Sequence, residues 1–149
     1  MIASLSELRR AKALAEEAKE ELKGENIPFA EMEQGIMIET PAAALLSGEL
    51  AKEADIFSIG TNDLAQYTMA MDRQNGQLEE FYDPYHPALL RLIEETAKNG
   101  KRAGILVGIC GELAADPSLT EEFIKMGIGE LSVAPSQILP LRRRILELP

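Results

Sequence analysis

The chain has 149 residues, of which 46% are hydrophobic and 27% charged, a balance that builds a core and excludes a disordered chain. A formal net charge of −10 argues against a nucleic-acid or anionic-membrane surface, because phosphates would be repelled; a local phosphate site made of one or two arginines and a metal stays open. The single cysteine closes no internal disulfide, no apolar run approaches the roughly 20 residues that span a bilayer, and no signal-peptide pattern opens the chain. These features read as a soluble, cytoplasmic protein with no membrane insertion and, over residues 1–149, a single domain.

Met1-Ile2-Ala3 reads as the tail of a strand. Ser4 and Glu7 fit a capping box, and Leu8, Ala11, Ala15, Ala18 and Leu22 keep one helical face apolar to Lys23, with Gly24 as the stop. A loop follows to Glu33. Gly35 to Glu39 reads as a strand, and Thr40-Pro41 as cap and first residue of a helix that runs to about Glu53. A second strand, Asp55 to Ile59, leads into Gly60-Thr61-Asn62-Asp63, and the spacing then predicts a helix from Leu64 to Met71. Gln74 to Pro87 is loop-like, with one helical turn near Leu78 to Phe81. A helix from Pro87 to Gly100 precedes a strand from Ile105 that ends in Cys110. Asp116-Pro117 reads as the start of another helix, ended by Gly127. Glu130 to Ala134 is a last strand, and Ser136 caps a last helix that holds Pro140 in its first turn and Arg142, Arg143 and Arg144 near its end.

Strand alternating with helix means parallel strands joined by crossovers, an α/β fold. Four such strands suit an open sheet, or half of an eight-stranded barrel whose two edges are open unless another chain covers them. Either way the strand ends align Glu39, Asp63 and Cys110 on one rim, where such folds bind ligands.

Each rim residue has two readings. A buried carboxylate at Glu39 or Asp63 costs energy unless it caps a helix, meets an arginine or binds a hard cation such as Mg²⁺, which takes one or two carboxylates together with waters and substrate oxygens. Asn62 donates its amide to a ligand, or forms an Asx-turn or a helix N-cap. Arg73 recognises phosphate, or makes a surface ion pair. Cys110, between Gly108 and Gly111, is an inert core thiol or a proton donor, since a thiol is ordinarily protonated at neutral pH. His86, before Pro87, reads as structural or solvent-facing.

Four stretches go further together. Ile38-Glu39-Thr40-Pro41-Ala42-Ala43, then Phe57-Ser58-Ile59-Gly60-Thr61-Asn62-Asp63-Leu64-Ala65-Gln66-Tyr67-Thr68 with Met71-Asp72-Arg73, then Gly108-Ile109-Cys110-Gly111-Glu112-Leu113 closely resemble, in this order, the Enzyme I family of the bacterial sugar phosphotransferase system. These are the phosphoenolpyruvate-protein phosphotransferases, and the likeness runs from about Met1 to Leu148. It implies parallel β/α units forming about half of a TIM-type (β/α)₈ barrel with phosphoenolpyruvate at the C-terminal rim. It implies Glu39 and Asp63 as Mg²⁺ ligands, Asn62, Asp63 and Arg73 as phosphoenolpyruvate contacts, and Cys110 as the acid that protonates the enol carbon as pyruvate forms. The family's phosphorylated histidine, the domain that meets the small histidine phosphocarrier protein and the first half of the barrel have no counterpart here. The isolated chain is therefore expected to be inactive and to associate with itself through its open edges. The alternatives are a fragment of a pyruvate phosphate dikinase or phosphoenolpyruvate synthase, and a non-catalytic half-barrel that binds partners or itself.

Overall fold

The computed structural model describes residues 1–148; Pro149 lies outside them. The order is α1 (Leu5–Gly24), β1 (Ile36–Ile38), α2 (Pro41–Leu45), α3 (Ser47–Leu50), β2 (Ile56–Gly60), α4 (Thr61–Met69), α5 (Pro87–Ala103), β3 (Leu106–Cys110), α6 (Thr120–Met126), β4 (Glu130–Ser132) and α7 (Pro135–Leu146), with 3₁₀ turns at Gly76–Phe81 and Glu112–Ala115. The strands form one parallel sheet in the order β1-β2-β3-β4.

That order decides between the two folds left open by the sequence. A doubly wound sheet reverses its strand order at a switch point. Here each strand lies beside the next in sequence, as in the winding of a β/α barrel. The two faces also differ. Ile38, Phe57, Ile59, Val107 and Ile109 point into the core, where they meet Ala43, Leu50, Leu89, Ile93 and Phe123 from the helices. The alternate residues lie on the other face, where Met37 and Leu106 are 41% and 44% exposed and Glu130 and Ser132 are open. A sheet with helices packed on one face and an uncovered row of alternate residues on the other is an arc of barrel wall.

Several element boundaries differ from expectation, each for a local reason. Met1–Ala3 forms no strand; the N–H of Ala3 donates to Glu7 Oε2 at 2.7 Å, beside the cap in which Ser4 Oγ accepts from the N–H of Glu7. Gly24 closes α1 from within, and the left-handed residue beyond it is Asn26. The helix expected from Pro41 to Glu53 breaks at Leu46, because Ser47 is buried and its hydroxyl donates to Ala44 O at 2.6 Å while accepting from Asn99 Nδ2 at 2.9 Å. The helix expected to stop at Gly100 continues to Ala103, where Gly104 takes the left-handed cap. Asp116 does not cap α6. It makes an Asx-turn to Ser118 N at 2.7 Å, and α6 begins at Thr120. Pro135, not Ser136, opens α7.

Candidate functional site

The site is built where β1, β2 and β3 end. β2 pairs Gly60 with Cys110 of β3, and Cys110 pairs with Ser132 of β4. Ile38 pairs with Ile59, so Glu39 comes alongside Gly60 on the uncovered face. A side chain at Gly60 would meet Met37 Sδ at 2.9 Å and Glu39 Cβ at 3.2 Å, so glycine there is what lets Glu39 lie against the strand end. Glu39, Gly60, Cys110 and Ser132 thus run in one transverse row.

Gly60-Thr61-Asn62-Asp63 is not a loop before a helix. Strand passes directly into helix, and Thr61, Asn62 and Asp63 form the first turn of α4, three residues ahead of the expected Leu64; the helix ends at Met69 with Ala70 left-handed, short of the expected Met71. Thr61, fully buried, donates its hydroxyl to Cys110 O at 3.1 Å. Asn62 Oδ1 accepts from the N–H of Glu112 at 3.2 Å. That bond replaces the Asx-turn reading of Asn62 with a clamp across the sheet, and it turns the amide NH₂ into the donor left over. Asp63 sits where negative charge suits the helix dipole. Glu39 caps nothing: Thr40 Oγ1 caps α2 by accepting from Ala43 N at 3.1 Å.

Among the described residues neither Glu39 nor Asp63 has an ion-pair partner. Nor do the described residues contain a group of three or more His, Cys, Asp or Glu side chains able to hold a metal. Two carboxylates are too few for a closed protein cage around a metal ion.

Cys110 is half-buried, and Ser58 Oγ donates to its Sγ at 3.3 Å. Arg73 is exposed beyond α4, with its N–H bonded to Gln66 Oε1 at 3.2 Å. Burial first, then the Glu112 carboxylate, push the Tyr82 phenol up, and Arg73 pulls it down. His86 is exposed and caps α5, its Nδ1 accepting from Ala88 N at 3.2 Å, which fits its structural reading. Sequence reasoning missed Ser58 and Glu112 as members of the site, although both lie inside the recognised stretches.

A family model for the phosphoenolpyruvate-binding domain of phosphoenolpyruvate-utilising enzymes matches residues 1–148. The chain belongs to this family. The sheet described above is part of the TIM-type barrel of that domain. The chain is 46% identical over 149 residues to the phosphoenolpyruvate-protein phosphotransferases of Bacillus sp. (strain S) and of Geobacillus stearothermophilus, covering 99% of this chain and 26% of each relative. The Streptococcus equinus protein of the same name is 48% identical over 143 residues, 95% of this chain and 25% of its own length. The chain therefore spans about a quarter of the length of these phosphoenolpyruvate-utilising relatives.

Proposed function

We propose that this chain is the Mg²⁺- and phosphoenolpyruvate-binding part of a phosphoenolpyruvate-protein phosphotransferase. In that reaction a phosphoryl group passes from phosphoenolpyruvate to a protein histidine outside this chain, then to a small histidine phosphocarrier protein, and pyruvate is released. The observation that carries the reading is the row of Glu39, Gly60 and Cys110 at the strand ends, with Asn62 and Asp63 in the helical turn that follows, in a chain 46% identical to enzymes of that name.

Glu39 and Asp63 would hold Mg²⁺, which would supply positive charge to neutralise the phosphoryl oxygens. Asn62 donates its amide to a ligand oxygen, and the Arg73 guanidinium pairs with the phosphoryl group. Cys110 supplies the proton that completes pyruvate: its S–H bond breaks, the enolate double bond gives its electron pair to the new C3–H bond, and the enolate oxygen becomes the keto oxygen. A cytoplasmic location goes with this reading, and no helix among the described residues is long and apolar enough to cross a membrane. Self-association through the open edges of the sheet goes with it as well.

Calorimetric titration of phosphoenolpyruvate tests the site, with and without Mg²⁺ and with Asp63→Asn. Binding that needs Mg²⁺ and is lost in the variant is the expected result. No binding by the unaltered chain in Mg²⁺ would overturn the claim that these residues form a ready half-site.

A further inference from the structure

We propose that Gln66 is a positioning residue for Arg73: its side-chain amide holds the main chain on which the guanidinium is mounted. The inference rests on the reading of Arg73 as the phosphoryl contact.

The chain turns back where α4 ends, and Gln66 holds the turn. Ala70 is left-handed at φ +53°, a conformation that few residues other than glycine adopt. Its N–H and that of Met71 both donate to the main-chain oxygen of Gln66, the second at 3.1 Å. Further on, the N–H of Arg73 donates to Gln66 Oε1 at 3.2 Å. Asp72 closes the turn on itself: its main-chain oxygen accepts from Asn75 N at 3.1 Å and its Oδ1 from Gln74 N at 2.9 Å. Those two bonds shape the turn from within, whereas the Gln66 side chain joins Arg73 to the helix.

Gln66, half-buried, lies four residues after Asn62, so both side chains project from one face of α4. Asn62 is in turn clamped to Glu112 at 3.2 Å. The main chain of Arg73 is thus anchored to the helix face that carries the amide assigned to the ligand. The guanidinium has no such anchor: Arg73 is exposed and, among the described residues, forms no ion pair. An arginine without a carboxylate partner reaches a phosphoryl group from wherever its main chain stands, and two-pronged recognition of phosphate needs the planar fork in one geometry. Releasing that main chain adds an ordering cost to each binding event that uses the fork. Phosphoenolpyruvate uses it, whereas pyruvate has no phosphoryl group. A bond that only stabilised the fold would affect both ligands alike.

Gln66→Leu removes the acceptor, and Gln66→Glu keeps one. The first readout needs no ligand: the rate of tryptic cleavage after Arg73, followed by the appearance of the 1–73 fragment in mass spectra. Losing one neutral hydrogen bond raises the open fraction of the turn, so Gln66→Leu is expected to be cleaved roughly 3- to 10-fold faster, with Gln66→Glu within about 2-fold of the unaltered chain. Unchanged cleavage in a Gln66→Leu chain of native circular dichroism overturns the proposal. The second readout is calorimetric titration in Mg²⁺. Gln66→Leu should weaken phosphoenolpyruvate roughly 3- to 10-fold and pyruvate by less than about 2-fold, with no further effect in a chain that already carries Arg73→Ala. Equal weakening of both ligands, or an undiminished effect beside Arg73→Ala, overturns the role of Gln66 alone. Phosphoenolpyruvate binding that Arg73→Ala leaves unaltered, or that the unaltered chain lacks, overturns the reading of Arg73 and the proposal with it.

Discussion

The side-chain oxygen of Asn62 accepts the main-chain N–H of Glu112 at 3.2 Å, across a sequence separation of 50 residues. The bond ties the first turn of α4 to the segment after β3, and it orients the asparagine. With the oxygen occupied, the NH₂ group is what Asn62 has to offer a ligand.

Asn62→Asp separates these two roles. An aspartate keeps an oxygen for the Glu112 N–H and loses the amide donor, while adding negative charge beside Asp63. Stability should change by less than about 1 kcal/mol, since one neutral hydrogen bond contributes on that order. Mg²⁺-dependent phosphoenolpyruvate binding should be lost. Urea unfolding and calorimetry on the same preparation check both halves, and a stable variant that still binds would show that the amide is not a contact.

Gly111 carries the sharpest backbone demand at the site. Its φ is +106°, and a side chain there would meet Thr61 Oγ1 at 2.5 Å and Asn62 Oδ1 at 3.0 Å. Gly111→Ala therefore combines backbone strain with the loss of one or both clamping hydrogen bonds, a cost of about 2–4 kcal/mol. Gly24→Ala is the control. It lies at the end of α1 with nothing within 4 Å of the added carbon, and should be neutral or stabilising by about 0.5–1 kcal/mol. The urea midpoint should fall for Gly111→Ala and stay or rise for Gly24→Ala.

These residues show what the sequence could and could not disclose. The strands were legible because each is a short run with Gly or an acidic residue against at least one end: Gly35 and Glu39 around Ile36–Ile38, Asp55 before Ile56–Gly60, Gly111 after Leu106–Cys110 and Gly129 before Glu130–Ser132. The strand ends alone put Glu39, Asp63 and Cys110 on one rim; in the assembled sheet Glu39 and Cys110 flank Gly60, while Asp63 lies in the first turn of α4. The breaks were not legible. Ser47 interrupts a good helical pattern by turning its hydroxyl inward to Asn99, a tertiary contact with no local signature. Periodicity also cannot tell a polar strand end from the first turn of a helix, so it starts the helix at Leu64 and leaves Thr61, Asn62 and Asp63 outside it. The choice between open sheet and barrel depends on strand order, which only the assembled sheet reveals.

Stability should fall in acid, and the sign follows from the carboxylates. The N–H of Ala3 holds Glu7 below its ordinary range; Lys19, Arg9 and Lys125 do the same for Glu16, Glu53 and Glu121. Burial pushes Asp116 up, but hydrogen bonds from Ser118 and Tyr85 outweigh it and leave the group lowered. A lowered native value means that the folded chain binds fewer protons than the unfolded one. Its contribution is complete above the unfolded value, near ~4, and is lost as pH falls through the lower native value. The exposed lysine and arginine pairs add little and are screened by salt. Asp116 is the informative group: Tyr85→Phe removes one of its donors and should move the acid limb of the melting curve to higher pH, and Asp116→Asn should flatten that limb. Thermal midpoints by circular dichroism between pH 7 and 3 read both.

The uncovered face of the sheet predicts association. β1 and β4 each have one neighbour, so each exposes a row of unpaired main-chain groups, and parallel barrel strands are normally buried on both faces. Met37 and Leu106 sit on that face at 41% and 44% exposure, with Ile56 beside Leu106 in register. The net charge of −10 opposes close approach of two copies, and added salt weakens that repulsion. Association should therefore strengthen with both concentration and ionic strength, the reverse of an interface held by ion pairs. Leu106→Glu adds charge to the uncovered face without touching the core, so it should shift the chain toward monomer while leaving its circular dichroism unchanged. Light scattering across a concentration series, repeated at low and high salt, measures the effect. A monomeric mass at every concentration and salt level would mean that the exposed edges and face do not draw two copies together.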